Sequence, residues 1–91
     1  MITKEVSIVT EKQNSTFRYS REDRRYYWKG WEIESVGGFC TMRHFWASNE
    51  ATGVKFWQFK LAEAKQDAYE IEHNPQHLDT IHPIHLKALY I

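Results

Sequence analysis

The spacing of apolar residues changes once along this chain of 91 residues. Up to Phe59, apolar and polar residues alternate in short runs, which is the two-residue period of a strand with one buried face. After Phe59, apolar residues recur at three- and four-residue spacing, the period of an amphipathic helix, and they are Leu61, Ala64, Ala68 and Ile71. Strands followed by one helix predict an α+β fold, with the helix packed on one face of an antiparallel sheet.

The strand pattern appears in five segments, so a sheet of three to five strands is expected. The segments are Glu5–Thr10, Thr16–Ser20, Tyr26–Val36, Phe39–Trp46 and Val54–Phe59. Gly37 and Gly38 predict a two-residue hairpin turn, because primed turns need positive φ at their central residues. Gly30 predicts a bulge or a bend inside its strand. The segments Arg21–Arg25 and Ala47–Gly53 are expected to form a turn and a loop.

The helix is predicted over Leu61–Glu72 and should end at Asn74, because the residue before a proline disfavours helical geometry. His82 and Pro83 then open either a short second helix or a last strand of the sheet, and both alternatives stay open. The residues expected in the core are Trp31, Ile33, Phe56, Leu61, Ala64, Ala68 and Ile71.

Length and composition predict one domain over residues 1–91, with no membrane segment and a cytoplasmic location. The N-terminal residues lack the long apolar stretch of a signal peptide. The single cysteine, Cys40, has no partner in the chain for a disulfide and is expected to be half-buried on a hairpin. Lys and Arg number 12 and equal Asp and Glu at 12, so no net charge attracts the chain to nucleic acid.

Aromatic and cationic residues are concentrated between Arg21 and Trp57. Such residues on a sheet can stack bases and hold phosphates, but Glu32 and Glu34 lie among them and would repel a phosphate backbone. Large bare apolar patches are rare on monomers, so a protein partner or a second copy of the chain is expected to cover the rings, with nucleic acid as the alternative. The residues expected to bind the partner are Arg24, Arg25, Tyr26, Tyr27, Trp28, Lys29, Trp46 and Trp57.

Four histidines near the C-terminus raise the alternative of a metal site, and they are His73, His77, His82 and His85. Pro75 lies between the first two and should break the helix that would align them. Surface or interface histidines are therefore favoured, and neither a metal nor another cofactor is expected.

Catalytic signatures are missing from the chain. Cys40 and His44, on one strand, would stand about 13 Å apart and could not act together. Glu32 and Glu34 are expected on a solvated sheet face, and no phosphate-binding loop or hydrolase motif is found. The chain is expected not to be an enzyme.

The order of elements resembles that of small sheet-plus-helix proteins encoded by phages and other mobile elements. The resemblance covers residues 26–73, with two strands around the glycine pair, a third strand, and a helix that opens with FKLAEAK at residues 59–65. The order is also similar to plant AP2-type and integrase arm-binding domains, which apply a three-stranded sheet to DNA. Those domains are strongly basic across the sheet, whereas this chain is neutral. The phage resemblance therefore implies a small non-catalytic protein that binds and modulates a host or phage protein.

Overall fold

Five antiparallel strands form one sheet in chain order in the computed structural model, which describes residues 16–39 and 42–87. The strands are β1 (Arg18–Ser20), β2 (Arg25–Trp28), β3 (Trp31–Val36), β4 (His44–Asn49) and β5 (Val54–Gln58). One helix, α1 (Leu61–His73), packs on the sheet. The predicted α+β fold is confirmed.

The chain reverses at Lys29 and Gly30, so the prediction of one strand over Tyr26–Val36 was wrong. Trp28 pairs with Trp31, which leaves a two-residue loop between β2 and β3. Both loop residues have positive φ, 47° at Lys29 and 82° at Gly30, as a type I′ hairpin turn requires. Gly30 therefore forms a turn rather than a bulge.

The glycine pair Gly37 and Gly38 opens a longer connection than the predicted two-residue turn. Val36 pairs with His44, so residues 37–43 lie between β3 and β4. The predicted strand Phe39–Trp46 begins only at His44, and the Phe39 side chain is 98% exposed. Because β4 continues to Asn49, the predicted loop over residues 47–53 shrinks to residues 50–53.

Two short 3-10 helices follow α1. Asn74 ends α1 as predicted, and its side chain accepts a hydrogen bond from the Gln76 backbone N–H, capping the first 3-10 helix (Pro75–Thr80). The second 3-10 helix (Pro83–Leu86) begins at the proline expected to open a helix, so the helical alternative is the one observed.

The core lies between α1 and the sheet. Trp31, Ile33 and Phe56 contribute the large buried side chains of the sheet, while Ala64 and Ala68 allow the helix backbone to come close to them. Trp31 Nε1 donates a hydrogen bond to Glu72 Oε1 at 3.0 Å and ties the last turn of α1 to β3. The core prediction is confirmed except at Leu61, which is half-buried because it opens the helix at the edge of the sheet.

Two sequence predictions lie outside the described residues: the strand Glu5–Thr10 and the half-buried Cys40. Within the described ranges, no helix has the length and apolar character needed to cross a membrane.

Candidate functional site

The two faces of the sheet differ in what covers them, and α1 packs on the face that carries Ile33 and Phe56. We call it the helix face, and the opposite side the open face. Because side chains alternate along a strand, the register places two cross-strand rows on the open face. One row is Arg25–Glu34–Trp46–Trp57 and the other is Arg18–Tyr27–Glu32–Ser48–Lys55.

The eight residues expected to bind a partner do not share one surface. Arg25, Tyr27, Trp46 and Trp57 lie on the open face, and Tyr26 and Trp28 lie on the helix face. Arg24 and Lys29 occupy turns, each with positive φ. The reversal at Lys29 and Gly30 fixes the register of β2 on β3, which places Tyr26 beside Ile33 and Trp28 beside Trp31.

Trp28 has a packing role on the helix face. Its ring stacks on Tyr69 of α1 with centroids 5.3 Å apart and an interplanar angle of 13°. Phe17 packs on it at 5.4 Å. Trp28 therefore joins β2 to the C-terminal half of α1.

Trp57 is only 2% exposed because the second 3-10 helix covers it. Its Nε1 donates to the Lys87 carbonyl at 2.6 Å, and the His85 ring stacks on it with centroids 4.2 Å apart. His44, also 2% exposed, packs edge-on against Trp57 at 5.3 Å. This end of the open face is closed, so Trp57 is not available to a partner.

The part of the open face that remains accessible is a patch of paired charges and rings. We call it the open-face patch, and its members are Arg25, Tyr27, Glu32, Glu34, Trp46 and Lys55. Arg25 Nη2 bonds to Glu34 Oε2 at 3.2 Å, and its Nε lies 3.9 Å from Glu32 Oε1. Lys55 Nζ lies 5.0 Å from the centre of the Trp46 ring, in cation–π range.

Two pKa values in the open-face patch follow from these contacts. The pKa of Arg25 is raised, chiefly by its hydrogen bond to Glu34 and then by the charge of that carboxylate. The pKa of Tyr27 is raised, chiefly because its hydroxyl donates a hydrogen bond to Asp23 at 2.9 Å. At neutral pH the patch therefore presents a charged guanidinium and a neutral phenol.

A concave site lies on the helix face, at the end of the sheet that carries the β1–β2 turn. It is a cavity of about 420 Å³, which we call the ring pocket, lined by Tyr19, Arg24, Tyr26, Ser35, Gly37, Arg43 and Phe45. Sequence reasoning singled out only Arg24 and Tyr26. Tyr19, Ser35 and Phe45 could have been found from strand parity, because Tyr19 pairs with Tyr26 and Ser35 pairs with Phe45. Gly37 and Arg43 lie in the connection between β3 and β4, where strand parity gives no signal.

Lys65 of α1 stands beside the ring pocket, with its Nζ 4.4 Å from the centre of the Tyr26 ring. Partial burial lowers the pKa of this amine, because desolvation disfavours the charged form. The ring of Tyr26 thus has a cation on one side and the Tyr19 ring, 4.8 Å away, as a further neighbour.

The four C-terminal histidines each contact another group of the protein. His77 Nε2 lies 2.9 Å from Asp67 Oδ1, and His73 Nδ1 donates to the Tyr69 carbonyl at 2.9 Å. His82 Nδ1 accepts from the Ile84 N–H, and His85 Nδ1 donates to the Trp57 carbonyl. In the described part of the chain, no three His, Cys, Asp or Glu side chains are grouped to hold a metal ion.

Comparison with known proteins gives no relative, since no family model, curated protein or solved structure matches the chain. The resemblance to phage accessory proteins and to AP2-type domains therefore stays a prediction.

Proposed function

We propose that this chain is a non-catalytic interaction module that binds another protein through the open-face patch and modulates it. One observation carries the proposal: Arg25 forms ion pairs with Glu32 and Glu34, and Glu34 lies next to Trp46, on the part of the open face that the second 3-10 helix leaves accessible. Together with Tyr27, these side chains form a compact surface with both signs of charge and two rings.

Three members of the open-face patch, Arg25, Tyr27 and Trp46, are of residue types common in protein interfaces. Tyr, Trp and Arg are enriched there and supply most of the residues whose truncation costs much affinity. Trp46 offers a flat apolar surface, and the Arg25–Glu34 pair fixes the orientation of a charged group beside it. A partner that covers Trp46 would bury apolar surface. Charges on the partner that complement the Arg25–Glu34 pair would fix its orientation on the sheet.

Nucleic acid fits this face less well. Glu32 and Glu34 stand on β3, the central strand, in the middle of both cross-strand rows. A phosphate backbone laid across the sheet would pass over these carboxylates and be repelled by them. The attraction of Arg18 and Lys55, at the two ends of one row, would not compensate for this repulsion.

A different protein is a better partner for this face than a second copy of the chain. In a two-fold symmetric dimer, residues near the axis face their own copies. With the axis through the middle of the sheet, Glu32 and Glu34 would face identical carboxylates. A partner with cationic groups above β3 avoids that repulsion.

Two features of the sequence support a location and a role for this interaction. Cys40 is the single cysteine and has no partner in the chain for a disulfide, which is typical of cytoplasmic proteins. We therefore expect the chain to bind its partner in the cytoplasm. The resemblance to phage accessory proteins supports a modulating or inhibiting role toward a host or phage protein.

Affinity capture from a bacterial lysate tests the proposal when it compares matched variants. Trp46→Ala and Glu34→Lys should each lose the proteins that the wild type retains, whereas Asp79→Lys, an equal charge reversal on the first 3-10 helix, should retain them. Binding of one purified captured protein is then measured by calorimetry for all four chains. If both open-face variants bind as the wild type does, the open-face patch is not the binding surface.

A homodimer is tested separately. Sedimentation equilibrium at high concentration should give the mass of one 10.9 kDa chain. A dimer mass that is lost in Glu34→Lys would assign the open-face patch to self-association instead.

A further inference from the structure

Two arginines reach the ring pocket from separate connections of the chain. Arg25 pairs with Glu34, so Arg24 leaves the sheet at the level of Ser35. Arg43 directly precedes β4, and its Nη1 donates to Ser35 Oγ at 3.0 Å. Both Arg24 and Arg43 line the same cavity. The pocket therefore has two guanidinium groups on its wall.

These guanidinium groups keep donors for a ligand. Each guanidinium has five N–H donors. The Arg24 side chain has no hydrogen bond or ion pair with any described residue. Arg43 donates to Ser35, which fixes its position and leaves its other N–H groups available.

Carboxylates are kept away from the ring pocket, since none is among the residues that line it. Asp23 lies in the same turn as Arg24, but its carboxylate accepts a hydrogen bond from Tyr27, whose side chain is on the open face. Lys65 adds a third cation beside Tyr26. The pocket therefore presents positive charge that no lining carboxylate neutralises.

Arg24 has a backbone conformation that its residue type does not favour. Its φ is 57°, a region in which asparagine and aspartate are enriched and which glycine adopts without strain. Strained residues of this kind are concentrated at ligand sites, where the side chain has a role that the turn does not require. The role of Arg24 therefore lies in its side chain.

Gly38 leaves room for the Arg43 guanidinium. A Cβ at this position would lie 3.1 Å from Arg43 Nη2, closer than most side-chain contacts. Gly38 also has a φ of 98°, a conformation that other residues rarely adopt. The connection between β3 and β4 can therefore pass close to Arg43 while Arg43 stays beside Ser35.

Two guanidinium groups match a doubly charged oxyanion. The phosphoryl group of a monoester carries about −1.5 to −2 charges at neutral pH and has three acceptor oxygens. Arginine binds such oxygens through two parallel N–H bonds. A carboxylate or a phosphodiester carries a single charge and would neutralise only one of the two arginines. The cavity of about 420 Å³ is in the size range of small-molecule sites, so it also has room for the organic part of an ester.

We propose that the ring pocket binds a phosphate monoester, with the phosphoryl group on Arg24 and Arg43 and the organic part against Tyr19 and Phe45. A small molecule and a phosphorylated protein side chain present the same phosphoryl group, and both are sources of such a ligand. The ring pocket is on the opposite side of the sheet from the open-face patch, so this proposal does not depend on the proposed function.

Nitrogen NMR of the arginine Nε–H groups tests the proposal, with phenyl phosphate as the probe and about 0.15 M salt to screen long-range attraction. The signals of Arg24 and Arg43 should shift until they saturate, whereas that of Arg18 on the open face should not. Arg43→Ala should weaken binding about tenfold, the loss of one charge-assisted hydrogen bond. Arg18→Ala removes the same charge from the opposite face and should bind as the wild type does.

Arg24→Gly separates binding from folding. Because glycine adopts positive φ without strain, this variant should be at least as stable as the wild type in thermal unfolding. It should nevertheless bind phenyl phosphate about tenfold more weakly, because the guanidinium is lost. A variant that binds as the wild type does would overturn the assignment of the phosphoryl group to Arg24.

The charge of the ligand is tested with phenyl sulfate, which has a similar shape and a single negative charge. It should bind several-fold more weakly than phenyl phosphate at neutral pH. Lowering the pH from about 7.5 to about 5 should weaken the binding of phenyl phosphate about tenfold, because the phosphoryl group takes up a proton near pH 6. The binding of phenyl sulfate should not change over this range.

Two further probes report on the organic part of the ligand and on its source. Inorganic phosphate should bind more weakly than phenyl phosphate, because it makes no contact with Tyr19 and Phe45. A phosphotyrosine peptide that binds more tightly than phenyl phosphate would support the site and identify a phosphorylated protein as the source. Equal binding of the two would support the site and identify a small molecule.

Four other outcomes would overturn the proposal. The first is the absence of a shift in the Arg24 and Arg43 signals. The second is an equal loss in Arg18→Ala, which would indicate attraction by overall charge alone. The third is equal binding of phenyl sulfate and phenyl phosphate, which would exclude a doubly charged ligand. The fourth is equal binding of inorganic phosphate, which would mark a simple anion site. All four leave the protein-binding proposal standing, because its variants lie on the other face.

Discussion

The His85 imidazole stacks on the Trp57 indole at 4.2 Å and, through Nδ1, donates a hydrogen bond to the Trp57 carbonyl at 2.7 Å. One side chain therefore holds the second 3-10 helix to both the ring and the backbone of β5. This contact sets the boundary of the open-face patch, because it closes the open face over Trp57 and His44.

Loss of the His85–Trp57 contact should expose Trp57 to water and lower the stability of the protein. His85→Ala should lower the free energy of unfolding by about 1 to 3 kcal/mol, the sum of an aromatic pair and a hydrogen bond. The emission of Trp57 should shift to the red as water reaches it. Urea unfolding followed by tryptophan fluorescence measures both. Lys87→Ala is the control, since Lys87 accepts the Trp57 hydrogen bond through its backbone carbonyl, which this variant keeps. An equal loss in Lys87→Ala would contradict the stabilising role of the His85 side chain.

The indole of Trp31 needs the carboxylate of Glu72. Trp31 is 1% exposed and its Nε1 donates to Glu72, so Glu72→Ala leaves a buried N–H without an acceptor. We expect a loss of about 1 to 3 kcal/mol in the free energy of unfolding. Glu72→Gln keeps an amide oxygen in place and should lose less than half as much in the same urea titration. Equal losses for the two variants would show that the charge, and not the acceptor, stabilises the contact.

The β2–β3 turn should be sensitive to the φ of Gly30. Gly30→Ala places a Cβ in ordinary contact with Asn49, 3.6 Å from Oδ1, so crowding is small and the cost is that of positive φ. That cost is about 1 to 2 kcal/mol of unfolding free energy. Gly53→Ala is the matched test, because its φ is 76° and a Cβ there meets nothing within 4 Å. Thermal unfolding should show a similar loss of stability for both variants. A Gly30→Ala variant as stable as the wild type would rule out the positive φ of Gly30 in the β2–β3 turn.

The Tyr27 hydroxyl should titrate above the ordinary tyrosine pKa of about 10, because Asp23 accepts its proton in a hydrogen bond. A folded-state pKa above the unfolded one contributes stability that is present below the unfolded pKa and lost as pH rises through the folded pKa. Asp23→Ala should lower the Tyr27 pKa toward its ordinary value, as measured by carbon NMR of labelled tyrosines. An unchanged Tyr27 pKa in this variant would contradict the hydrogen bond.

Local pattern predicted the fold class and the helix, but not every reversal of the chain. The two-residue alternation predicted one buried face of β3, and the helical spacing predicted one buried face of α1. The structure buries the residues predicted for these faces, Trp31, Ile33, Ala64 and Ala68. The turn at Lys29 and Gly30 was missed because Lys29 adopts a positive φ that lysine seldom does, so its residue type gave no signal.

The candidate sites depend on which residues of neighbouring strands pair with each other. The sequence of one strand alone does not specify this pairing. Tyr26 and Tyr27 are adjacent in sequence and fall on opposite faces, because side chains alternate along β2. The ring pocket needs Arg24 and Arg43 from two separate connections at the same end of the sheet. Trp57 was expected to be accessible, but the second 3-10 helix returns to the sheet and covers it with His85.

The order β1–β2–β3–β4–β5 means that each strand pairs with its neighbour in the chain. During synthesis, every hairpin can therefore form as soon as its second strand has left the ribosome, without waiting for a distant segment. Such short-range closure favours rapid folding and gives partly made chains few unpaired strands with which to aggregate. The helix α1 follows all five strands in the chain, so it packs on a sheet whose hairpins can already have formed.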